Sequence, residues 1–366
     1  MIRQVARGLV VLAGITLFVE AVDGRQPVTA PDKISVRDKK DGSIKNYEGT
    51  LVFAPAGLQV VGPDKKTLAV VSPSDVVKVV PGEMAGVDRG EVLRLVGLED
   101  KKTKADYAAA RLGYVDLKKK AGAAPAGSKK YLDFKLSLMA SRIADETAYD
   151  EDWSKLGAEA ADNWTGFVND YKTGYEVWYA TRAAARIYAE MNKFNDVART
   201  WKQMAKKDSG LPADLLLEAQ MQEIDAQIRT RTGAAAAQVA AADLLKTAPA
   251  GAAKEKLTVY EAAAKAIAGG DSLTGVKPIE AVIAATKDPA VRAVAFSMLG
   301  EIYLTAAPPK PRDAMWAFLW VETVYSADKD EVFKAMCRLV EVFKSQQDDD
   351  RVRLYHDKLR RARTNF

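Results

Sequence analysis

The sequence predicts a mainly α protein of the α+β class, with a small five-stranded β-barrel at the front and an α-solenoid of antiparallel helical hairpins behind it. Three observations carry this expectation. Five short β-branched runs alternate with turn signals between residues 33 and 80. Beyond residue 129 apolar residues recur with a helical period, with short connections and no strand-like run. Finally, a helical pattern ending in Leu299-Gly300-Glu301-Ile302-Tyr303 is followed by one carrying Ala314, Phe318 and Val321, the spacing of one stacked hairpin.

Residues 1–21 read as an export signal. Arg3 and Arg7 give a positive start, Leu9 to Val19 form an apolar run of eleven residues, and Val19-Glu20-Ala21 places small or branched residues at a cleavable spacing. That run falls short of the roughly twenty residues that span a bilayer. A cleaved signal is therefore expected ahead of an uncleaved inner-membrane anchor, and the expected location is the bacterial periplasm or the extracellular space.

The barrel is expected over 32–81. Ile34 and Val36 alternate with Lys33, Ser35 and Arg37, and Asp41-Gly42 turns the chain. Further strands read over 47–53, 58–61, 67–71 and 76–80. Gly62-Pro63-Asp64-Lys65 has the form of a type I turn, because proline presets the dihedral of its second position. Five strands this short cannot bury both faces as an open sheet, so closure is the economical solution. With its charged first strand and Tyr47-Glu48-Gly49-Thr50 opening the second, the segment resembles small Sm-like or SH3-like barrels. Because a fold by itself does not imply a function, the segment is expected to be a packing or peptide-contact module. Sm-like barrels often bind RNA, but no aromatic is interleaved with Lys or Arg at a base-stacking spacing, and nucleic acid is not an expected partner.

Residues 82–128 read as a linker followed by a basic helix. Gly82, Gly86 and Gly90 loosen the first part. Over 101–120, Lys101, Lys102, Lys104, Arg111, Lys118, Lys119 and Lys120 face only Asp106 and Asp116. This stretch either attracts an anionic membrane surface or is a solvated helix face.

From residue 129 to the end, twelve helices are predicted: 129–147, 152–171, 174–191, 196–207, 212–229, 234–247, 252–268, 278–287, 289–304, 312–325, 329–344 and 349–363. Asp288-Pro289 sets a capping carboxylate before a proline whose missing N–H costs nothing in the first turn. Asp328 and Glu331 have capping-box spacing. Helix after helix at short connections implies hairpins in series.

Gly300 sits in mid-helix at a cost of roughly 1 kcal/mol relative to alanine, which a helix tolerates where another must come close. Phe296, Leu299, Gly300 and Tyr303, followed by Ala314, Phe318 and Val321, resemble the tetratricopeptide repeat. The turn between the two helices is longer than the family's and contains Pro308, Pro309 and Pro311. Trp178, Thr181, Ala184 and Ala185 with Tyr188, Phe194, Val197, Trp201 and Met204 form a weaker match without the Leu-Gly pair. Met336, Leu339, Phe343 and Val352 form a third. The resemblance implies a concave groove lined by the first helix of each hairpin. On that basis the partner-groove residues are Tyr179, Arg182, Arg186, Glu190, Ser297 and Glu301. Arginines on such a groove clamp a peptide carboxylate; alternatively Arg186 and Glu190 pair across one turn.

Enzymatic readings find little to stand on. With one cysteine, Cys337, and one histidine, His356, there is no intrachain disulfide and no Cys/His zinc site. No phosphate loop, nucleophile elbow or H-E-x-x-H occurs, so no catalytic, cofactor or metal residues are assigned. The expected role is an exported, non-enzymatic scaffold for a peptide or protein of the cell envelope. The alternatives are a helical enzyme or polysaccharide binder using Trp153, Trp164 and Trp178, and a membrane-surface adaptor using the basic helix.

Overall fold

The structure, a computed structural model, describes residues 31–38, 41–149, 152–206 and 209–363. The export signal read over 1–21 lies outside the described residues.

Strand β1 (Asp32–Arg37) buries Ile34 and Val36 and turns Lys33 and Arg37 to solvent, as period-two alternation requires. It pairs antiparallel with β2 (Ile44–Ala54), which continues to pair with β3 (Gly57–Val61), and β3 with β4 (Thr67–Val71). Strand β5 (Val76–Val80) returns to the other edge of β1, giving the order β4-β3-β2-β1-β5. The long β2 serves both halves: Ile44–Gly49 faces β1 and Thr50–Ala54 faces β3. Its hinge is Gly49, where an added Cβ would sit 2.9 Å from the Val61 carbonyl carbon. The sheet thereby curls around Ile34, Leu58 and Val60.

The stretch read as a linker and one basic helix holds two helices, α1 (Arg89–Glu99) and α2 (Lys104–Lys120), packed as a hairpin. Helix α1 is illegible in the sequence because Gly90 and Gly97 interrupt it and Leu93 faces solvent beside buried Val92 and Leu95. The basic helix buries Tyr107, Ala110, Tyr114 and Leu117. Arg111 pairs with Glu159 at 2.5 Å, Lys118 pairs with Asp133, and Lys101 lies 3.5 Å from Asp106.

Twelve further helices follow among the described residues. They are α3 (Ala126–Asp145), α4 (Trp153–Asp170), α5 (Tyr175–Glu190), α6 (Phe194–Met204), α7 (Ala213–Arg229) and α8 (Ala234–Leu245). After them come α9 (Ala252–Ala268), α10 (Val276–Ala285), α11 (Pro289–Thr305), α12 (Pro311–Thr323), α13 (Lys329–Ser345) and α14 (Asp349–Arg363). The Asp288 cap acts as read, its carboxylate accepting from Ala290 N at 2.7 Å; of the capping box only half forms, Asp328 accepting from Glu331 N at 3.2 Å while the Glu331 carboxylate is taken by Lys334. No helix among the described residues is long and apolar enough to cross a membrane.

Consecutive helices pack as antiparallel hairpins, and the odd-numbered ones form an inner layer. Helix α7 packs on α9, α9 on α11 and α11 on α13, and α13 reaches back to α5. The array therefore curls until its last hairpin meets α5. The sheet docks on the same helix, with Tyr175 of α5 inside the sheet's core cluster.

Candidate functional site

Ring closure brings together the polar faces of α5, α7, α11 and α13. At one end of the lumen Arg229 is fully buried, donating from Nε to Asp225 at 3.0 Å and from Nη1 to Glu301 at 2.9 Å, with Nη2 3.5 Å from Glu331. Arg338 donates from Nε and Nη2 to the two Glu301 oxygens, at 2.7 and 2.9 Å, and lies 4.2 Å above the Phe194 ring. Lys334 donates to Asp225 and Glu331, each at 2.8 Å. Burial opposes the ionisation of Glu331, but Lys334 and Arg229 outweigh it and hold that carboxyl below its ordinary range. Charges this deep are tolerated only in mutual pairs.

The same closure relocates most of the residues expected to line a groove. Arg186 donates to Asp145 of α3 at 2.6 Å rather than to Glu190. Glu190 instead accepts from Arg363 at 2.6 and 2.9 Å, and from the Tyr149 hydroxyl. Glu301 belongs to the Arg229 network, and Ser297 is fully buried. These four fill or wall the lumen instead of facing a partner, because the concave face of a solenoid is solvated only while its ends stay apart. Tyr179 packs between Phe134 and Trp164, with ring centroids 5.5 and 5.7 Å away. Arg182 is the one of the six that borders the larger open cavity, and there it holds Asp330 through two bonds of 2.8 and 3.0 Å. Trp153 and Trp164 are enclosed in the protein interior, and Trp178, only 2% exposed, merely borders the cavity. None offers the exposed ring face that a polysaccharide platform needs.

Beside the closed end, Arg363 is fully buried between the rings of Tyr149 and Trp153, and His356 stacks on Tyr149 at 3.7 Å. Burial first, then Lys344 and Arg363, lower the His356 pKa from 6.5 to about 4. The unfolded chain takes up this proton near pH 6.5, whereas the folded chain resists until about pH 4. The stability contributed by the neutral ring is therefore complete above pH 6.5 and is lost as the pH falls through that window. Because the ring is only half-buried, the effect is about 1 kcal/mol. Urea midpoints at pH 7 and pH 5 test this: the parent protein should lose about 1 kcal/mol more than His356→Phe, whose other titrating groups are the same.

The other end of the lumen is open. There the N-terminal halves of α7, α9, α11 and α13 and the middle of α5 surround a cavity of about 470 Å³. Glu218, Met221 and Gln222 come from α7, Lys256 and Tyr260 from α9, Val294 from α11, and Asp330 and Glu331 from α13. The connection Ser72-Pro73-Ser74 between β4 and β5 forms part of the rim, so the sheet and the helical ring share the site. A narrower pocket of about 90 Å³ shares Arg182 and Gln222 with it and is bordered by Arg186 and Phe333.

Glu218, Lys256 and Asp330 were not singled out from the sequence. A signal was present: Glu218, Gln222, Asp225 and Arg229 fall on one stripe of α7, as Asp330, Lys334 and Arg338 do on α13, flanked by apolar residues. Such a stripe marks a polar helix face, without showing what it pairs with. Compared with family models, curated proteins and solved structures, the chain matches none.

Proposed function

We propose that this chain is an exported, non-enzymatic scaffold that binds a peptide or protein segment in the open end of its helical ring. The observation that carries the reading is the 470 Å³ cavity, built by four inner helices and α5 and rimmed by the β4–β5 connection. Its size is that of a pocket for a few side chains. The closed end supports the same reading, since its ion pairs hold the inner helices in register and leave the cavity preformed. The tetratricopeptide pattern agrees with a binding role: Phe318 of α12 lies against Gly300 of α11, the close helix approach that this motif provides. Export is proposed from the pattern of residues 1–21 alone.

Panning a random peptide display library against the full chain tests the proposal. Enriched peptides should bind saturably, and Ala253→Trp, which places an indole in the cavity from the first turn of α9, should abolish that binding without lowering the melting temperature by more than a few degrees. Enriched peptides that bind Ala253→Trp as well as the parent would place recognition elsewhere and overturn the reading.

A further inference from the structure

We infer that the open cavity receives a cationic side chain, a lysine or arginine of the bound segment, and that Glu218 is the group that receives it. The inference rests on the peptide-binding reading above and adds the chemistry of the ligand.

The cavity wall carries five carboxylates, Asp214, Glu218, Asp328, Asp330 and Glu331, against two cations, Arg182 and Lys256. Four of the five are accounted for. Asp330 holds Arg182 through two hydrogen bonds. Asp328 caps α13 and lies 3.7 Å from Lys256. Glu331 is held by Lys334, with Arg229 3.5 Å away. Asp214 is exposed in the first turn of α7, where the helix N-terminus favours negative charge.

Glu218 has none of these supports. It lies beyond the first turn of α7, out of reach of the helix terminus, and makes no hydrogen bond or ion pair among the described residues. Burial pushes its carboxyl above the ordinary range, and Asp330 and Asp328 push the same way against Arg182 and Lys256. A neutral ligand would desolvate this carboxylate and leave it unpaired, and an acidic one would add repulsion; a cation relieves both. The remaining wall suits the rest of such a side chain. Leu217, Met221, Tyr260 and Val294 supply apolar surface for the methylene stem of lysine or arginine. Among the described residues no group of three or more His, Cys, Asp or Glu is arranged to hold a metal ion, so the dispersed carboxylates fit an organic cation better than an inorganic one.

Fluorescence anisotropy with three capped peptides of equal length, differing only in a central Lys, Gln or Glu triplet within one Ala-Leu background, tests the inference on the full chain. The Lys peptide should bind about tenfold more tightly than the Gln peptide, the effect of one charge-assisted hydrogen bond, with the Glu peptide weakest. Its affinity should fall with added salt. Glu218→Gln should erase the Lys preference while melting no lower than the parent, and Met221→Lys, one turn along the same face, should block the Lys peptide by supplying the cation internally. Equal binding of the three peptides, or a Lys preference that survives in both variants, overturns the inference and leaves peptide binding standing. If none of the three binds even at millimolar concentration, the peptide reading itself falls.

Discussion

Arg229→Met should destabilise the protein by about 3–5 kcal/mol, the cost of leaving a buried ionic cluster short of one charge. Arg229 has no exposed side-chain surface and is shared by Asp225, Glu301 and Glu331, which come from three different inner helices. Without it, Lys334 and Arg338 remain to balance three carboxylates that are each no more than 3% exposed. For a chain of this size the loss corresponds to a fall in melting temperature of roughly 5 °C. The double variant Arg229→Met/Glu301→Gln should recover part of it, since removing one carboxylate restores the balance between the two charges of each sign. Thermal melts of the parent and the two variants decide the matter: additive losses would show that the ion cluster does not act as a unit.

Gly300→Ala should cost about 2 kcal/mol, although alanine is the better helix former by roughly 1 kcal/mol. The added methyl would sit 2.5 Å from Cε1 and 2.8 Å from Cε2 of Phe318, a ring with no exposed surface and no room to withdraw. Relief requires α11 and α12 to separate, which opens the core on both sides. Phe318→Leu alone leaves a cavity, but combined with Gly300→Ala it makes room for the methyl. The double variant should therefore be more stable than the sum of the single losses predicts. Strict additivity in urea unfolding would show that the two residues are not in contact.

This pair also marks how far the sequence could be read. Gly300 and Phe318 lie eighteen positions apart within one hairpin; the mid-helix glycine announced a close approach, and the resemblance to the tetratricopeptide repeat pointed to the hairpin that makes it. Helix limits were legible for the same reason. Caps such as Asp288 and Asp328, and apolar periodicity, are local properties of the chain. The fate of the polar inner stripe was not local. Arg182 finds Asp330, 148 positions on, and Glu190 finds Arg363, 173 positions on. An arginine on a concave helix face is written identically whether that face meets solvent or the far end of the same chain. The cavity was missed on the same account, because Glu218 and Asp330 become neighbours only once α13 has come round to α5.

Arrays of stacked hairpins normally unravel piece by piece, each repeat holding only its immediate neighbours, so that terminal units fray under conditions the centre survives. Here the two ends of the series are held to each other. Arg363, at the end of α14, bonds Glu190 and the carbonyl of Thr147, and Arg338 joins α13 to Asn192 just beyond α5. Loosening the last hairpin breaks contacts in the first part of the array, and loosening α5 releases the last hairpin. A modular chain so fastened gives up the independence of the modules it ties together: α5 and the last hairpin should be lost in the same step of a thermal melt, not one after the other.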